Sequence, residues 1–146
     1  MVSNAFRKLA VDSLNFIQST DDFSELHGEV SGRYPVCLRF TLANEERYYS
    51  PKDEHGIPYR IYQSAGPQYN PTRIAAYALA NFNEFLLLGN EDNKQIFFHC
   101  AQWFRAKKDA KYDYAFDWGD LKAPWISCMA QGEAASVLIR AFKLSE

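Results

Sequence analysis

Cysteine is scarce in this 146-residue chain: Cys37, Cys100 and Cys128 are far apart and sit among apolar neighbours. That spacing offers neither a disulfide framework nor a zinc knuckle, and it predicts buried thiols. The three histidines, His27, His55 and His99, never fall at i, i+4, so no metal site is expected. Seven glycines and six prolines are too few for a collagen-like or low-complexity chain. No apolar run approaches the roughly 20 residues that cross a bilayer, and the first eight residues lack the apolar core of a signal peptide. The expectation is a chain without a membrane anchor, cytoplasmic if the sequence is complete. An excess of one charge is also missing. Sixteen basic against 18 acidic residues leave a net charge of -2, which argues against a general nucleic-acid binder working through a basic face.

What the chain does have is apolar and aromatic material. Hydrophobic residues make up 47%, and 11 Phe, 9 Tyr and 3 Trp exceed what one core of this size ordinarily uses, so some rings are expected to line a site. The length suits a single domain over 1–146. Phe6, Leu9, Ala10, Leu14 and Ile17 recur at helical spacing, predicting an amphipathic helix over 4–18. From Ser19 to Gln68 the period disappears among glycines and prolines, with short strands expected at Val36–Leu42 and Tyr59–Tyr62. The clearest signal follows: Asn70 as N-cap, Pro71 at the first helical position, an apolar series from Ile74 to Leu86, and Gly89 as terminator, predicting a helix over 71–88. A tight turn leads to a second helix over 92–108, antiparallel to the first. An aromatic and acidic loop then leads to a third over 125–143. The pattern reads as a mainly α array of antiparallel helix hairpins, with a few short strands in the 30–65 region.

Alternate helices of such an array point the same way, so the N-termini after Asn70 and after Pro124 are expected on one face. Helix N-termini offer unpaired amides and partial positive charge, which suits carboxylate or sulfate groups. Tyr69, Trp118 and Trp125 add flat rings for stacking on sugars, and Gln68, Asn70, Ser127 and Gln131 add neutral hydrogen-bond partners. Gln68, Tyr69, Asn70, Trp125 and Gln131 are expected to converge on one concave surface. Arg105, Lys107, Lys108, Lys111 and Lys122 gather around the second helix end and the loop after it, where they could steer a polyanion or merely complement the helix C-terminus. The same polar and aromatic residues also read as caps and staples of helix ends, an alternative the residues alone leave open.

Gly56-Ile57-Pro58, then Gln68-Tyr69-Asn70-Pro71 with Ala75-Ala76-Tyr77-Ala78-Leu79-Ala80, then the run from Leu121 to Ala141 containing Pro124-Trp125-Ile126-Ser127-Cys128-Met129-Ala130-Gln131-Gly132, follow one another in an order and spacing. That succession resembles the carboxy-terminal domain of the D-glucuronyl C5-epimerase family over about residues 30–143. The resemblance implies an (α/α) toroid that converts glucuronate to iduronate within a heparosan-type polysaccharide, as in heparan sulfate biosynthesis, without metal or nucleotide cofactor. It implies an anionic polysaccharide as partner, with Gln68, Tyr69, Asn70, Trp118, Lys122, Trp125, Ser127 and Gln131 as substrate-binding candidates. The reaction removes the carbon-5 hydrogen alpha to a carboxylate and returns a proton on the opposite ring face. Tyrosines can do this where a cationic neighbour lowers their pKa, which makes Tyr69, Tyr112 and Tyr114 the catalytic candidates. The family's toroid continues past the Met-Ala-Gln-Gly helix, and its proton-transfer tyrosines belong to that later part. The expected architecture is therefore an incomplete (α/α) toroid, its amino-terminal part, with self-association or a partner chain completing it. Gly132-Glu133 stands where the family more usually has Gly-Gln. A polysaccharide lyase, which begins with the same deprotonation, and a non-catalytic glycan-binding module are the competing functions.

Overall fold

The computed structural model describes residues 33–36 and 38–146, so the helix predicted over 4–18, His27 and Cys37 lie outside the described residues. The described part opens with two single-turn helices, α1 (Arg39–Ala43) and α2 (Glu45–Tyr49). This corrects the strand expected at Val36–Leu42. Thr41 donates its hydroxyl proton to the Leu38 carbonyl and meets the Tyr49 hydroxyl at 2.7 Å, tying the two turns to each other. Helices of five residues are too short to show an apolar period, so tertiary packing selects them. The Lys52 ammonium is bonded to the Glu45 carboxylate, and the Tyr77 hydroxyl donates to the same carboxylate oxygen at 2.8 Å, fastening α2 to the long helix behind it.

Strand β1 (Tyr59–Tyr62), as expected, pairs antiparallel with β2 (Gly66–Tyr69), with Tyr59 opposite Tyr69 and Tyr62 opposite Gly66. The chain then enters α3 (Pro71–Leu88), at the bounds the sequence predicts. The Asn70 side chain accepts from the Arg73 amide at 3.1 Å, and Gly89 at φ 68° ends the helix with its amide on the Phe85 carbonyl at 2.7 Å. Helix α3 is the centre of the core: Ile74, Ala75, Tyr77, Ala78, Leu79 and Phe82 are all buried. A two-residue link leads to α4 (Glu91–Arg105), three residues shorter at its C-terminus than expected, whose Phe97, Cys100, Ala101 and Phe104 are buried at helical spacing. Phe82 meets Phe97 at 4.8 Å between ring centres, and Asn81 accepts from Asn93 at 2.7 Å.

The third helix, α5 (Cys128–Ser145), starts three residues later than predicted, because Trp125–Ile126 instead forms β4, paired antiparallel with β3 (Asp113–Tyr114). Ser127, whose side chain accepts from the Ala130 amide, is the true cap. Small buried residues, Ala130 and Ala134, let α5 approach the core closely. The Tyr114 hydroxyl bonds Thr72 at the start of α3 while its ring stacks on Trp125 just ahead of α5. Arg140, late in α5, lies over the Phe82 ring late in α3 at 5.8 Å. Helices α3 and α5 therefore run the same way, with α4 opposed. Of the thiols, Cys100 is buried as expected, but Cys128 is exposed on the first turn of α5, beside the exposed Ile126 and Met129. No helix among the described residues is long and apolar enough to cross a membrane.

Candidate functional site

Successive residues of a strand face opposite sides of its sheet. That rule separates the residues expected to converge. Tyr69 projects to one side of the β1–β2 hairpin, where its hydroxyl donates to Asp53 at 2.5 Å and its ring lies 5.7 Å from Trp103. Asn70 turns to the other side, donating to the Tyr62 hydroxyl at 2.9 Å and accepting from Tyr114 at 3.3 Å. The Gln68 amide donates to the Ala65 carbonyl across the hairpin turn. Gln131 does not line a concave wall. Its amide clamps the backbone of Tyr112, accepting from its N–H at 3.3 Å and donating to its carbonyl at 2.9 Å. Ser127 is spent as a cap. The α3 N-terminus is not an open anion site either: Pro71 has no N–H, and the Arg73 amide is taken by Asn70.

The Tyr69 side of the hairpin forms a cleft of about 590 Å³ lined by Asp53, Glu54, His55, Ile57, Tyr69, His99, Gln102 and Trp103. A hollow of about 160 Å³ adjoins it, sharing Asp53 and Tyr69 and adding Tyr59, Pro67 and Gln68. Asp53 organises the turn beneath: one carboxylate oxygen accepts from the amides of His55 and Ile57 at 2.9 and 2.8 Å, the other from Tyr69. Partial burial pushes this carboxyl up, but the hydrogen bonds from Tyr69 and the two amides outweigh it and hold it below its ordinary value. The same bond, with burial, pushes the Tyr69 hydroxyl up to about 12. This reverses the expected effect of a cationic neighbour, since the partner is a carboxylate. Tyr112 and Tyr114 are buried in the core, and burial raises both. Asp53, Glu54, Gln102 and Trp103 were not expected at a site from the sequence, and His55 and His99 were read only as lacking metal-ligand spacing. A signal was present in His99 and Gln102, exposed at i, i+3 on the side of α4 away from its buried stripe, with Trp103 beside them packed against the core. No cluster of three metal-ligating side chains occurs among the described residues.

The Asn70 side carries an aromatic platform. Tyr62 meets Phe116 at 4.5 Å and Trp118 edge-on at 5.5 Å, and Tyr114 stacks on Trp125 at 3.9 Å with planes 3° apart. Trp125 donates its indole N–H to the Phe116 carbonyl at 2.7 Å, so it builds the platform's floor. Trp118 is its exposed edge, 53% accessible. It is held there by a tight turn in which its backbone N–H and carbonyl both pair with Leu121 at 3.0 Å, with Gly119 at φ 57° taking the left-handed position. The Lys122 ammonium pairs with Asp117 at 2.9 Å in the same loop. The Arg60 guanidinium lies 5.6 Å from the Tyr62 ring centre and makes no ion pair among the described residues. Of the other basic residues expected to steer a polyanion, Lys107 lies over the Trp103 ring at 4.8 Å, and Arg105, Lys108 and Lys111 are exposed.

Residues 102–146, just under a third of the chain, match the family model described as D-glucuronyl C5-epimerase C-terminus. No curated protein and no solved structure shows a significant match. The matched stretch contains the end of α4, most of the aromatic platform and all of α5.

Proposed function

We propose, from the match of residues 102–146 to the family model described as D-glucuronyl C5-epimerase C-terminus, a glucuronyl epimerase-related function: the chain engages uronic acid residues of a heparosan-type polysaccharide and serves their inversion at carbon 5. The observation that carries this reading is that the matched stretch itself supplies Phe116, Trp118, Lys122 and Trp125, the parts of a surface suited to a charged sugar. The exposed Trp118 indole offers a flat apolar face to a pyranose ring. Arg60 and Lys122 provide cations for its carboxylate. Exposed ion pairs contribute little, so Lys122 can exchange Asp117 for a substrate carboxylate at small cost.

Inversion at carbon 5 needs a base, donors for the developing enolate charge and an acid on the opposite face. A base must be deprotonated at working pH, and Tyr69, Tyr112 and Tyr114 are all shifted the other way. Their environments support roles in binding and in holding the site together, not in abstracting the proton. The test is incubation of the chain with heparosan in deuterium oxide. Polysaccharide binding that weakens about tenfold in Trp118→Ala with an unchanged thermal melt is the expected result, and deuterium entering carbon 5 without chain cleavage is expected once the chain is assembled with the rest of the toroid. Ultraviolet absorbance from an unsaturated uronate would replace the reading with elimination, and binding with no exchange would reduce it to a glycan-binding module.

A further inference from the structure

Helix α5 buries Ala130, Ala134, Val137 and Arg140 against the core. The residues it leaves exposed from Met129 to Phe142 are Met129, Gly132, Ala135, Ile139 and Phe142, and none of them is charged. The first exposed charge on the helix is Lys143, in its last turn. A surface helix normally turns charged and polar side chains outward, so an uncharged outer face about four turns long is a face that something covers. We propose that a second copy of this chain covers it, α5 against α5, antiparallel about a twofold axis between Ala135 and Ser136. The proposal goes beyond the glycan reading and does not depend on it.

The order of side-chain sizes along the stripe fits its own reverse. In the antiparallel register Met129 meets Phe142 of the second copy, Gly132 meets Ile139, and Ala135 meets Ser136. A twofold interface requires this reciprocity, residue i on j and j on i. The space outside Gly132 is open, with nothing within 4 Å of where a Cβ would stand, so it can receive the Ile139 side chain. A parallel pairing would set Gly132 on Gly132 and Phe142 on Phe142, leaving a gap at one end and two crowded rings at the other. Charge selects the same orientation. The Lys143–Glu146 ion pair, at 3.1 Å, closes the stripe at one end. Parallel helices would stack two such ends on each other. Antiparallel ones hold the two Lys143 residues about 22 Å apart along the axis and bring each to the end of the other copy where Asp113 pairs with Ile126. They also oppose the two helix dipoles. From Met129 to Phe142 the stripe is about 20 Å long, and with the exposed Ile126 beyond it the buried area stays below the roughly 800 Å² per partner of a standard interface. The dimer is accordingly a weak one, with a micromolar dissociation constant.

The experiment is sedimentation equilibrium of the full chain across its micromolar range, with cross-linking to fix the orientation. A monomer–dimer equilibrium is expected. Ile139→Lys, at an exposed position, should weaken it at least tenfold and leave the thermal melt of the dilute monomer unchanged. Adding Gly132→Glu to that variant should recover severalfold of the loss, because positions 132 and 139 face each other between antiparallel copies but lie two turns apart within one. Ala135→Cys, made in a Cys37→Ser background, should give a disulfide-linked dimer on mild oxidation. Cys128, exposed but about 22 Å from its counterpart along the axis, should not, since a disulfide needs Cα atoms within about 7 Å. A chain that stays monomeric at millimolar concentration overturns the proposal and leaves the face to a different protein. A dimer indifferent to Ile139→Lys overturns the interface, and one cross-linked through Cys128 overturns the antiparallel pairing.

Discussion

The structure gives the carboxyl of Glu133, on α5, a measurable consequence. The side chain is partly buried on the inner side of α5, with one carboxylate oxygen enclosed and without a hydrogen-bond partner. Burial pushes its pKa from 4.5 up to about 7. Because the folded value lies above the unfolded one, the proton favours the folded state: stability is fully present below about 4.5 and is lost as pH rises through about 7. At about 1.36 kcal/mol for each pH unit between those values the ceiling is about 3 kcal/mol, and residual solvent contact reduces it to about 1–2 kcal/mol. Glu133→Gln removes the charge while keeping the shape. At pH 8 the variant should exceed the wild type by that amount, a rise of about 3–6 °C in Tm for a chain of this length, and at pH 4.5 the difference should nearly vanish. Urea and thermal melts of both proteins at the two pH values decide it. An offset of equal size at both, or a variant less stable at pH 8, would refute the argument that an ionised carboxylate is being held without a partner.

Asn70→Ala removes the α3 cap and the contacts to the Tyr62 and Tyr114 hydroxyls together, and urea unfolding should show a loss of at least the 1–2 kcal/mol typical of a cap. Tyr69→Phe deletes only the hydroxyl bonded to Asp53; the melt should hardly move, and polysaccharide affinity should fall severalfold with carbon-5 exchange per bound chain unchanged. A hundredfold loss of exchange in that variant would put Tyr69 in proton transfer after all. Met129, Ile139 and Phe142 leave an exposed apolar stripe along α5, which predicts self-association; a monodisperse monomer by light scattering at high concentration would count against it.

Helix α3 could be read from the sequence to the residue, because Asn70, Pro71 and Gly89 act through local backbone chemistry that needs no partner. The existence of α4 and α5 was equally plain from their periods. The start of α5 was not, since Trp125 and Ile126 are drawn into a strand by Asp113 and Tyr114, a pairing that depends on how the loop folds back. Helices α1 and α2 escaped for a related reason: single turns are held by distant contacts such as Lys52 and Tyr77 on Glu45, and leave no period. The resemblance to the D-glucuronyl C5-epimerase C-terminus was legible in the run from Leu121 to Ala141, inside the stretch that matches that family model, because a motif of that length survives without coordinates. Which of its polar and aromatic residues face a ligand was decided by tertiary structure alone. Gln68, Tyr69 and Asn70 look like one group in the sequence, yet strand alternation sends Tyr69 into an acidic cleft and Asn70 into an aromatic platform. Gln131, exposed to choice by its polarity, is consumed by the backbone of Tyr112. Sequence specifies which chemical groups are available; only the packed chain determines which of them have already been satisfied by one another.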